Sequence, residues 1–175
     1  MRSWNNETSF NWLYKECPND ELYTPDEAVI PIIKYLKPNS VIWECTDFGS
    51  SNISKILRNN GFKVISTHIQ RNFDFLKDKP IFDFDYIITN PPYSLKNEFL
   101  AKCYEYNKPF LLLLPITTLE GIERSKIFRK NGLQVLVFDK RINYMKNKKS
   151  NWFNTSWFCS KVLPHDLMFE EVKNG

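Results

Sequence analysis

The sequence predicts an α/β fold with a mostly parallel sheet and helices on both of its faces. Short apolar segments, which are typical of buried strands, alternate with segments of helical spacing over most of the chain. The run from Phe110 to Leu114 is apolar at every position, as expected for a parallel strand that is covered on both faces. Two later apolar segments, 133–138 and 154–160, have no helix between them, which predicts an antiparallel hairpin near the end of the chain.

The predicted elements follow one another in a regular order after residue 23. The first helix is predicted at about 25–36, with Thr24 as its N-cap, Pro25 at its first position and Pro31 as a distortion. Further helices are predicted at about 51–59, 95–106 and 122–130, and strands at 41–44, 62–67, 86–89, 110–115, 133–138 and 154–160. With 175 residues, the chain is long enough for one sizeable core, so we expect a single domain at 23–175 after an extension at 1–22.

Composition argues against several kinds of protein. No apolar stretch approaches the length that a bilayer requires, so we expect a cytoplasmic protein without a membrane partner. Cys17, Cys45, Cys103 and Cys159 lie far apart, which favours small buried side chains over a zinc site or a disulfide framework. The formal charge of +4 is compatible with a polyanionic partner without indicating one.

The central motif of the chain is the turn that follows the strand at 86–89. Proline fixes its own φ and lacks an N–H, so Asn90-Pro91-Pro92-Tyr93 ends the strand in a rigid, extended turn with free carbonyl groups. The Asn90 amide oxygen and a neighbouring carbonyl can accept both hydrogens of an exocyclic amine, and the Tyr93 ring can cover a base. The plain alternative is a strand-ending turn without any ligand, because Pro-Pro is common in turns.

This turn resembles the signature of S-adenosylmethionine-dependent amino-group methyltransferases, most of which methylate adenine N6 in DNA. The resemblance extends over about 23–162 and implies a Rossmann-like methyltransferase fold of seven strands with the last one inserted antiparallel. It is closest to small phage-encoded adenine methyltransferase-like proteins, which share the segments Phe138-Asp139-Lys140-Arg141 and Trp157-Phe158. It implies that Asn90 and Pro91 hold the target amine beside the cofactor and that Tyr93 stacks on the base, within a turn that includes Pro92.

The same resemblance implies a cofactor site at the first strand and the segment before it. Tyr23-Thr24-Pro25 is similar to the segment that helps to hold the methionine end of S-adenosylmethionine, although it is also an ordinary helix start. Glu44, Cys45, Thr46 and Gly49 correspond to the acidic strand end and glycine loop of the family. A strand, tight turn and helix N-terminus also bring backbone N–H groups together in a way that suits a ligand. Ser50 and Ser51 stand where a second glycine is expected, which weakens the predicted cofactor site.

Two further segments complete the predicted cofactor site. His68 ends the second strand, where doubly wound folds usually carry an acid for the ribose hydroxyls, and a strand-end histidine without a ligand is an equal alternative. Asp74-Phe75 resembles the pair whose carboxylate binds the adenine amine of the cofactor and whose ring packs against the adenine. Both signals are short, so their positions between the second strand and Asp85 carry most of the prediction.

A polar, basic segment with aromatic residues occupies about 139–153. Phosphate contacts from such a segment would be independent of sequence, although a solvated charged loop is a close alternative. The predicted substrate-binding residues are Tyr93, Lys96, Lys140, Arg141, Lys146, Lys148, Lys149 and Trp152. Because the chain has no separate target-recognition domain, an enzyme of this kind would recognise little sequence or depend on a homodimer or a protein partner.

Taken together, these features predict methyl transfer from S-adenosylmethionine to the N6 amine of adenine in DNA. The departures at Ser50, Ser51 and His68 support a rival interpretation, in which the scaffold binds nucleic acid or a protein without transferring methyl groups. A third interpretation keeps the chemistry and replaces DNA by a free nucleotide, RNA or a protein glutamine.

Overall fold

A seven-stranded sheet forms the centre of the computed structural model, which describes residues 24–144 and 154–172. The strand order is β2-β1-β3-β4-β6-β5-β7, and β6 alone among these strands runs antiparallel to its neighbours. The strands are β1 (Val41–Glu44), β2 (Lys63–Ser66), β3 (Tyr86–Thr89), β4 (Phe110–Pro115), β5 (Gln134–Phe138), β6 (Thr155–Ser160) and β7 (Leu167–Glu170). The predicted fold class, a mostly parallel sheet with an antiparallel hairpin, is confirmed.

The seventh strand differs from the one that the resemblance implies. β7 pairs in parallel with β5 at the edge of the sheet, beyond the region of the resemblance. Residues 67–85, all of them described, contain no strand between β2 and β3. The strand β7 is short, and its Leu167 and Phe169 side chains are exposed, which is typical of an edge strand. For this reason the sequence does not indicate it as a buried strand.

The described residues contain four α-helices, close to the predicted positions. They are α1 (Asp26–Val29), which continues as a 3-10 helix over Ile30–Tyr35, α2 (Asn52–Asn59), α3 (Lys96–Tyr106) and α4 (Ile122–Asn131). The change to a 3-10 helix follows from Pro31, which has no N–H to donate to an α-helical ladder. The predicted N-cap at Thr24 is wrong, because α1 begins at Asp26 and the Thr24 hydroxyl accepts a hydrogen bond from Asn90 instead.

The core has two halves, one on each face of the sheet. Successive residues of β4 pack into opposite halves: Leu111 and Leu113 into the first, and Leu112 and Leu114 into the second. Helices α1 and α2 cover the first half, and α3 covers the second through Phe99, Leu100 and Cys103. Cys45, Cys103 and Cys159 are buried and unpaired, while Cys17 lies outside the described residues. Within 24–144 and 154–172, no helix is both long and apolar enough to cross a bilayer.

Candidate functional site

The candidate site lies at the carboxyl ends of β1 and β3, which are adjacent parallel strands. Such ends meet at one edge of the sheet, where doubly wound folds place their ligands. Thr46 follows β1, and its Oγ1 lies 2.5 Å from Thr89 Oγ1 at the end of β3. The same Thr46 hydroxyl lies 3.5 Å from the Asn90 carbonyl oxygen. These contacts join the loop after β1 to the Asn-Pro-Pro-Tyr turn.

Glu44 is the buried acid at the centre of this junction. Its carboxyl accepts hydrogen bonds from the Thr89 hydroxyl, from the Thr46 N–H at 3.1 Å and from the Ser51 hydroxyl at 3.3 Å. Burial raises the pKa of Glu44 to about 7, because the bonds from Thr89 and Thr46 offset only part of the cost of desolvating a carboxylate. Glu44 therefore carries a proton for part of the time near neutral pH.

Asn90 has a free acceptor atom in a fixed position. Its Nδ2 donates to Thr24 Oγ1 at 3.2 Å, whereas its Oδ1 is buried and accepts no hydrogen bond from any described residue. Thr24 is held in turn by Asn52, whose Nδ2 donates to the Thr24 carbonyl at 2.8 Å and to Asp26 Oδ1 at 2.7 Å. An unpaired buried acceptor is costly, and a donor from outside the protein would satisfy it.

The remainder of the turn is built from the backbone and from one tyrosine pair. Pro91 is buried, and the Pro92 carbonyl accepts from Leu95 N at 3.0 Å, which begins a 3-10 turn at Tyr93. The Tyr93 hydroxyl interacts with Tyr144, which also shares a 2.7 Å hydrogen bond with Thr155. The segment before β6 therefore helps to set the position of the Tyr93 ring.

The loop between β1 and α2 is filled by a side chain of its own. Asp47 is buried, and its Oδ1 accepts from Ser50 N at 3.1 Å and Ser51 N at 2.8 Å. Its Oδ2 accepts from the hydroxyls of Ser54 at 2.6 Å and Ser66 at 3.1 Å. Desolvation opposes the charge on Asp47, but these bonds outweigh it and lower its pKa. Two N–H groups of the turn that was predicted to suit a ligand, those of Ser50 and Ser51, are therefore bound to the protein's own carboxylate.

Gly49, in the same loop, retains open space beside its backbone. Its φ of +101° lies in the region that favours glycine, and a β-carbon at this position would meet no atom within 4 Å. A close approach of a ligand to the Gly49 backbone is thus compatible with the structure.

The two later cofactor segments have partners within the protein. His68 Nδ1 accepts from Gln70 N at 3.1 Å, and its ring lies 3.9 Å from that of Phe48, measured between centroids. The Asp74 carboxylate accepts from Leu76 N at 3.0 Å and pairs with Lys77 at 2.9 Å. Both side chains therefore have structural partners at the positions where ribose and adenine contacts were predicted.

Two predicted cofactor residues lie in the core. Phe75 is buried and stacks on Phe99 with centroids 4.9 Å apart, while also packing against Trp43. Cys45 is buried in the same half of the core as Trp43. The two residues are two positions apart, so in an extended chain their side chains point to the same face of the sheet. The side chains of Phe75 and Cys45 therefore contribute to packing in this structure.

The predicted substrate-binding residues divide into three groups. Lys96 lies at the turn, where its Nζ donates to the Tyr93 carbonyl at 3.0 Å. Lys140 and Arg141 follow β5, and Arg141 Nε donates to Asn154 Oδ1 at 2.6 Å. The remaining predicted site residues lie outside the described residues: Tyr23, Lys146, Lys148, Lys149 and Trp152.

Sequence reasoning did not identify Thr89, Asn52 and Tyr144 as parts of the site. Thr89 had a usable signal, since it is a polar residue at the end of an apolar strand and directly before Asn90. Asn52 and Tyr144 had none, because their roles depend on contacts with residues 28 and more positions away.

Comparisons with known proteins agree with this fold. No family model matches the chain. It is 26% identical over 204 aligned positions to the type II methyltransferase M.MgeORF184P of Mycoplasma genitalium, covering 86% of this chain and 64% of that relative. Among solved structures, it is similar to a Listeria monocytogenes protein described as a class I S-adenosylmethionine-dependent methyltransferase, with a TM-score of 0.58, 11% identity and coverage of 96% of this chain and 72% of that one.

The structural similarity identifies the class of fold as Rossmann-like, of the methyltransferase type. The chain spans less than two thirds of the length of the curated relative that it matches.

Proposed function

We propose that this protein is an S-adenosylmethionine-dependent methyltransferase that acts on the N6 amine of adenine in DNA. The observation that carries the proposal is the buried and unpaired Oδ1 of Asn90, which Thr24 holds in place beside two prolines at the carboxyl edge of the sheet. The resemblance of the turn to amino-methyltransferase signatures and the similarity to a relative named as a type II methyltransferase support the same chemistry.

The residues of the turn would align the reacting amine. Asn90 Oδ1 and the Pro91 carbonyl would each accept one N–H of the amine, which draws its lone pair out of conjugation with the base and directs it at the methyl carbon. When bound, S-adenosylmethionine would supply a methyl group that its sulfonium activates: the S–CH3 bond breaks as the N–CH3 bond forms, the thioether is the leaving group, and the amine nitrogen releases one proton to water. Extruding the base from a duplex costs a few kcal/mol. Stacking of the Tyr93 ring on the base would recover about 1–3 kcal/mol of that cost.

The residues around the loop after β1 fit a cofactor in part. Gly49 offers open space at its backbone, and Thr24, Glu44 and Thr46 lie next to Asn90 through direct or shared hydrogen bonds. We assign the cofactor to this side of Asn90, opposite the face that would receive the base. We also propose that a second copy or a protein partner supplies target recognition.

The product of the reaction tests the proposal directly. The protein is incubated with S-adenosylmethionine labelled in its methyl group and with unmethylated DNA, and the DNA is then hydrolysed to nucleosides. Label in N6-methyl-2′-deoxyadenosine is the expected result. RNA and a glutamine-containing protein are offered in parallel incubations. Label in a cytosine product, in RNA or in protein glutamine would preserve methyl transfer and contradict the substrate, whereas no transfer to any of these would contradict the activity.

A second candidate function, binding without methyl transfer, is favoured by the occupied loop. Asp47 binds the N–H groups of Ser50 and Ser51, and Lys77 pairs with Asp74, so several atoms that would contact a cofactor are already engaged. Calorimetric titration with S-adenosylmethionine separates the two candidates. Saturable binding supports the enzyme, and no heat of binding at about 1 mM cofactor supports the second candidate.

A further inference from the structure

Two basic side chains lie together beside the Asn-Pro-Pro-Tyr turn. Lys96 is the first residue of α3, and its Nζ donates to the Tyr93 carbonyl at 3.0 Å. Arg124 in α4 reaches the residue next to Lys96, since its Nη1 donates to Asn97 Oδ1 at 2.9 Å. Arg124 also donates through Nε to the Thr118 carbonyl at 2.7 Å and through Nη2 to the Glu120 carbonyl. Both side chains therefore lie near the start of α3, Lys96 through the Tyr93 carbonyl and Arg124 through Asn97.

The partners of both cations are neutral oxygen atoms. Within the described parts of the chain, neither Lys96 nor Arg124 forms an ion pair. Burial and then the nearby Arg124 charge lower the pKa of Lys96, and Glu98 opposes this shift only in part. Two like charges held close together without a carboxylate between them favour an anion from outside.

Both side chains retain hydrogen-bond donors. A guanidinium has five N–H groups and an ammonium has three. Arg124 uses three of its donors on the protein, and Lys96 uses one. The N–H groups that remain can contact the oxygens of one phosphate, the ligand whose geometry suits an arginine fork.

The position of Lys96 also argues against a purely structural role. The N-terminus of a helix carries partial positive charge, so a lysine at the first position of α3 is unfavourable for the helix itself. An anion bound there would offset both the helix dipole and the lysine charge.

Gly121 allows the arginine to fold back over the preceding loop. Its φ of +138° disfavours other residues, and a β-carbon at this position would lie 2.5 Å from Arg124 Nη2. Because the guanidinium is the far end of a flexible side chain and can shift, the positive φ is the reason for glycine at this position. The hydrogen bonds to the Thr118 and Glu120 carbonyls hold the guanidinium over the loop.

We propose that Lys96 and Arg124 form a phosphate-binding subsite that holds the phosphate next to the nucleoside whose amine reaches Asn90. This inference rests on the proposed function, because it assigns the nucleotide part of the same substrate. The phosphate belongs either to a nucleic-acid strand or to a free nucleotide, and both present the same oxygens to the two side chains.

The salt dependence of nucleic-acid binding tests the subsite in the complete protein. Binding of a fluorescent, adenine-containing single-stranded oligonucleotide is measured by anisotropy over a series of salt concentrations. Removing one phosphate contact by Lys96→Met should reduce the slope of log K against log salt by about 0.7. Arg124→Lys keeps the charge and should weaken binding with a smaller change in slope, because it removes the fork.

Lys126→Met is the matched control for these variants. Lys126 lies on α4 two residues after Arg124 and pairs with Glu123 at 2.8 Å, so its removal changes the net charge equally without touching the subsite. We expect its salt slope to equal that of the original protein. Equal slopes for Lys96→Met, Lys126→Met and the original protein would overturn the nucleic-acid form of the subsite.

A competition experiment separates the two sources of phosphate. Adenosine monophosphate should displace the oligonucleotide better than adenosine, by about tenfold for one charged contact pair, and Lys96→Met should reduce this advantage. If Lys96→Met reduces the advantage of adenosine monophosphate over adenosine but leaves the salt slope of oligonucleotide binding unchanged, the subsite is assigned to a free nucleotide. If the original protein shows no such advantage and Lys96→Met leaves the salt slope unchanged, the subsite is rejected altogether. Absent methyl transfer with an altered slope would reject the proposed function and retain the subsite.

Discussion

One hydrogen bond, from Asn90 Nδ2 to the Thr24 hydroxyl, leaves the other amide atom of Asn90 for a ligand. Thr24 engages Nδ2, and the acceptor Oδ1 is left buried without a protein partner. An acceptor is what the amine of a base requires, whereas a free Nδ2 would repel it. Thr24 therefore acts as a positioning residue for Asn90, and Asn52 fixes Thr24 through its carbonyl.

Replacing Thr24 by valine should separate positioning from packing. Valine has the same shape and no hydroxyl, so the amide of Asn90 would lose its fixed orientation. We expect the methyl-transfer rate at saturating cofactor to fall by about tenfold, the equivalent of one neutral hydrogen bond. Thr24→Ser retains the hydroxyl and should restore most of the rate. A valine variant as active as the original protein would show that Thr24 does not position Asn90.

Glu44 should make the free energy of unfolding depend on pH. Its pKa is about 7 in the folded protein against 4.5 in an exposed chain, so the folded state favours the protonated form. The contribution of Glu44 to the free energy of unfolding is therefore most favourable below about pH 4.5. As the pH rises from there through 7, this contribution is lost, and the free energy of unfolding falls by up to about 3 kcal/mol. Glu44→Gln stays neutral throughout this range.

Urea unfolding at several pH values measures this effect. The difference in unfolding free energy between Glu44→Gln and the original protein should move in favour of the glutamine variant as pH rises from about 4.5 to about 7.5. A difference that is constant across this range would show that the Glu44 pKa is not raised.

At the scale of elements, the loop between β1 and α2 depends on one buried carboxylate. Asp47 joins the backbone of this loop to Ser54 in α2 and to Ser66 in β2. Periodicity and turn composition located β1, the loop and α2, because those signals are local. They could not indicate the role of Asp47, since its partner Ser66 is 19 positions away and depends on the pairing of β1 with β2.

Asp47→Ala should destabilise the protein and free the N–H groups at the start of α2. Losing several hydrogen bonds to a buried carboxylate should lower the free energy of unfolding by about 2–3 kcal/mol. Asp83→Ala is the matched control, because Asp83 is exposed and lies outside the loop. Urea unfolding of both variants is the measurement, and equal stability of the two would contradict the role assigned to Asp47.

At the scale of the whole molecule, the sequence predicted the class of sheet and the turn on which the site is built. Strand and helix alternation and the apolar run at 110–114 are strong local signals, and the hairpin of β5 and β6 follows from a missing helix. The edge strand β7 was not predictable, because its pairing with β5 is set by the arrangement of the complete sheet. The pairing of His68 with Phe48 and the burial of Phe75 depend on the same long-range packing.

Charge and architecture agree at this scale as well. Lys96 and Arg124 lie beside the turn that would hold the base, so a nucleotide could contact its phosphate and amine sites on one edge of the sheet. Because the formal charge of +4 is small, we expect local contacts to contribute more to the binding free energy than the overall electrostatic field of the protein.

The most direct test compares Asn90→Ala with Asn131→Ala, an exposed asparagine on α4 that serves as the control. The rate of methyl transfer to adenine-containing DNA and the dissociation constant for S-adenosylmethionine are measured for both. We predict that Asn90→Ala lowers the rate by about 100-fold or more, while its cofactor affinity stays within about threefold of the control. Equal transfer rates for the two variants would contradict the assignment of Asn90 as the residue that holds the target amine.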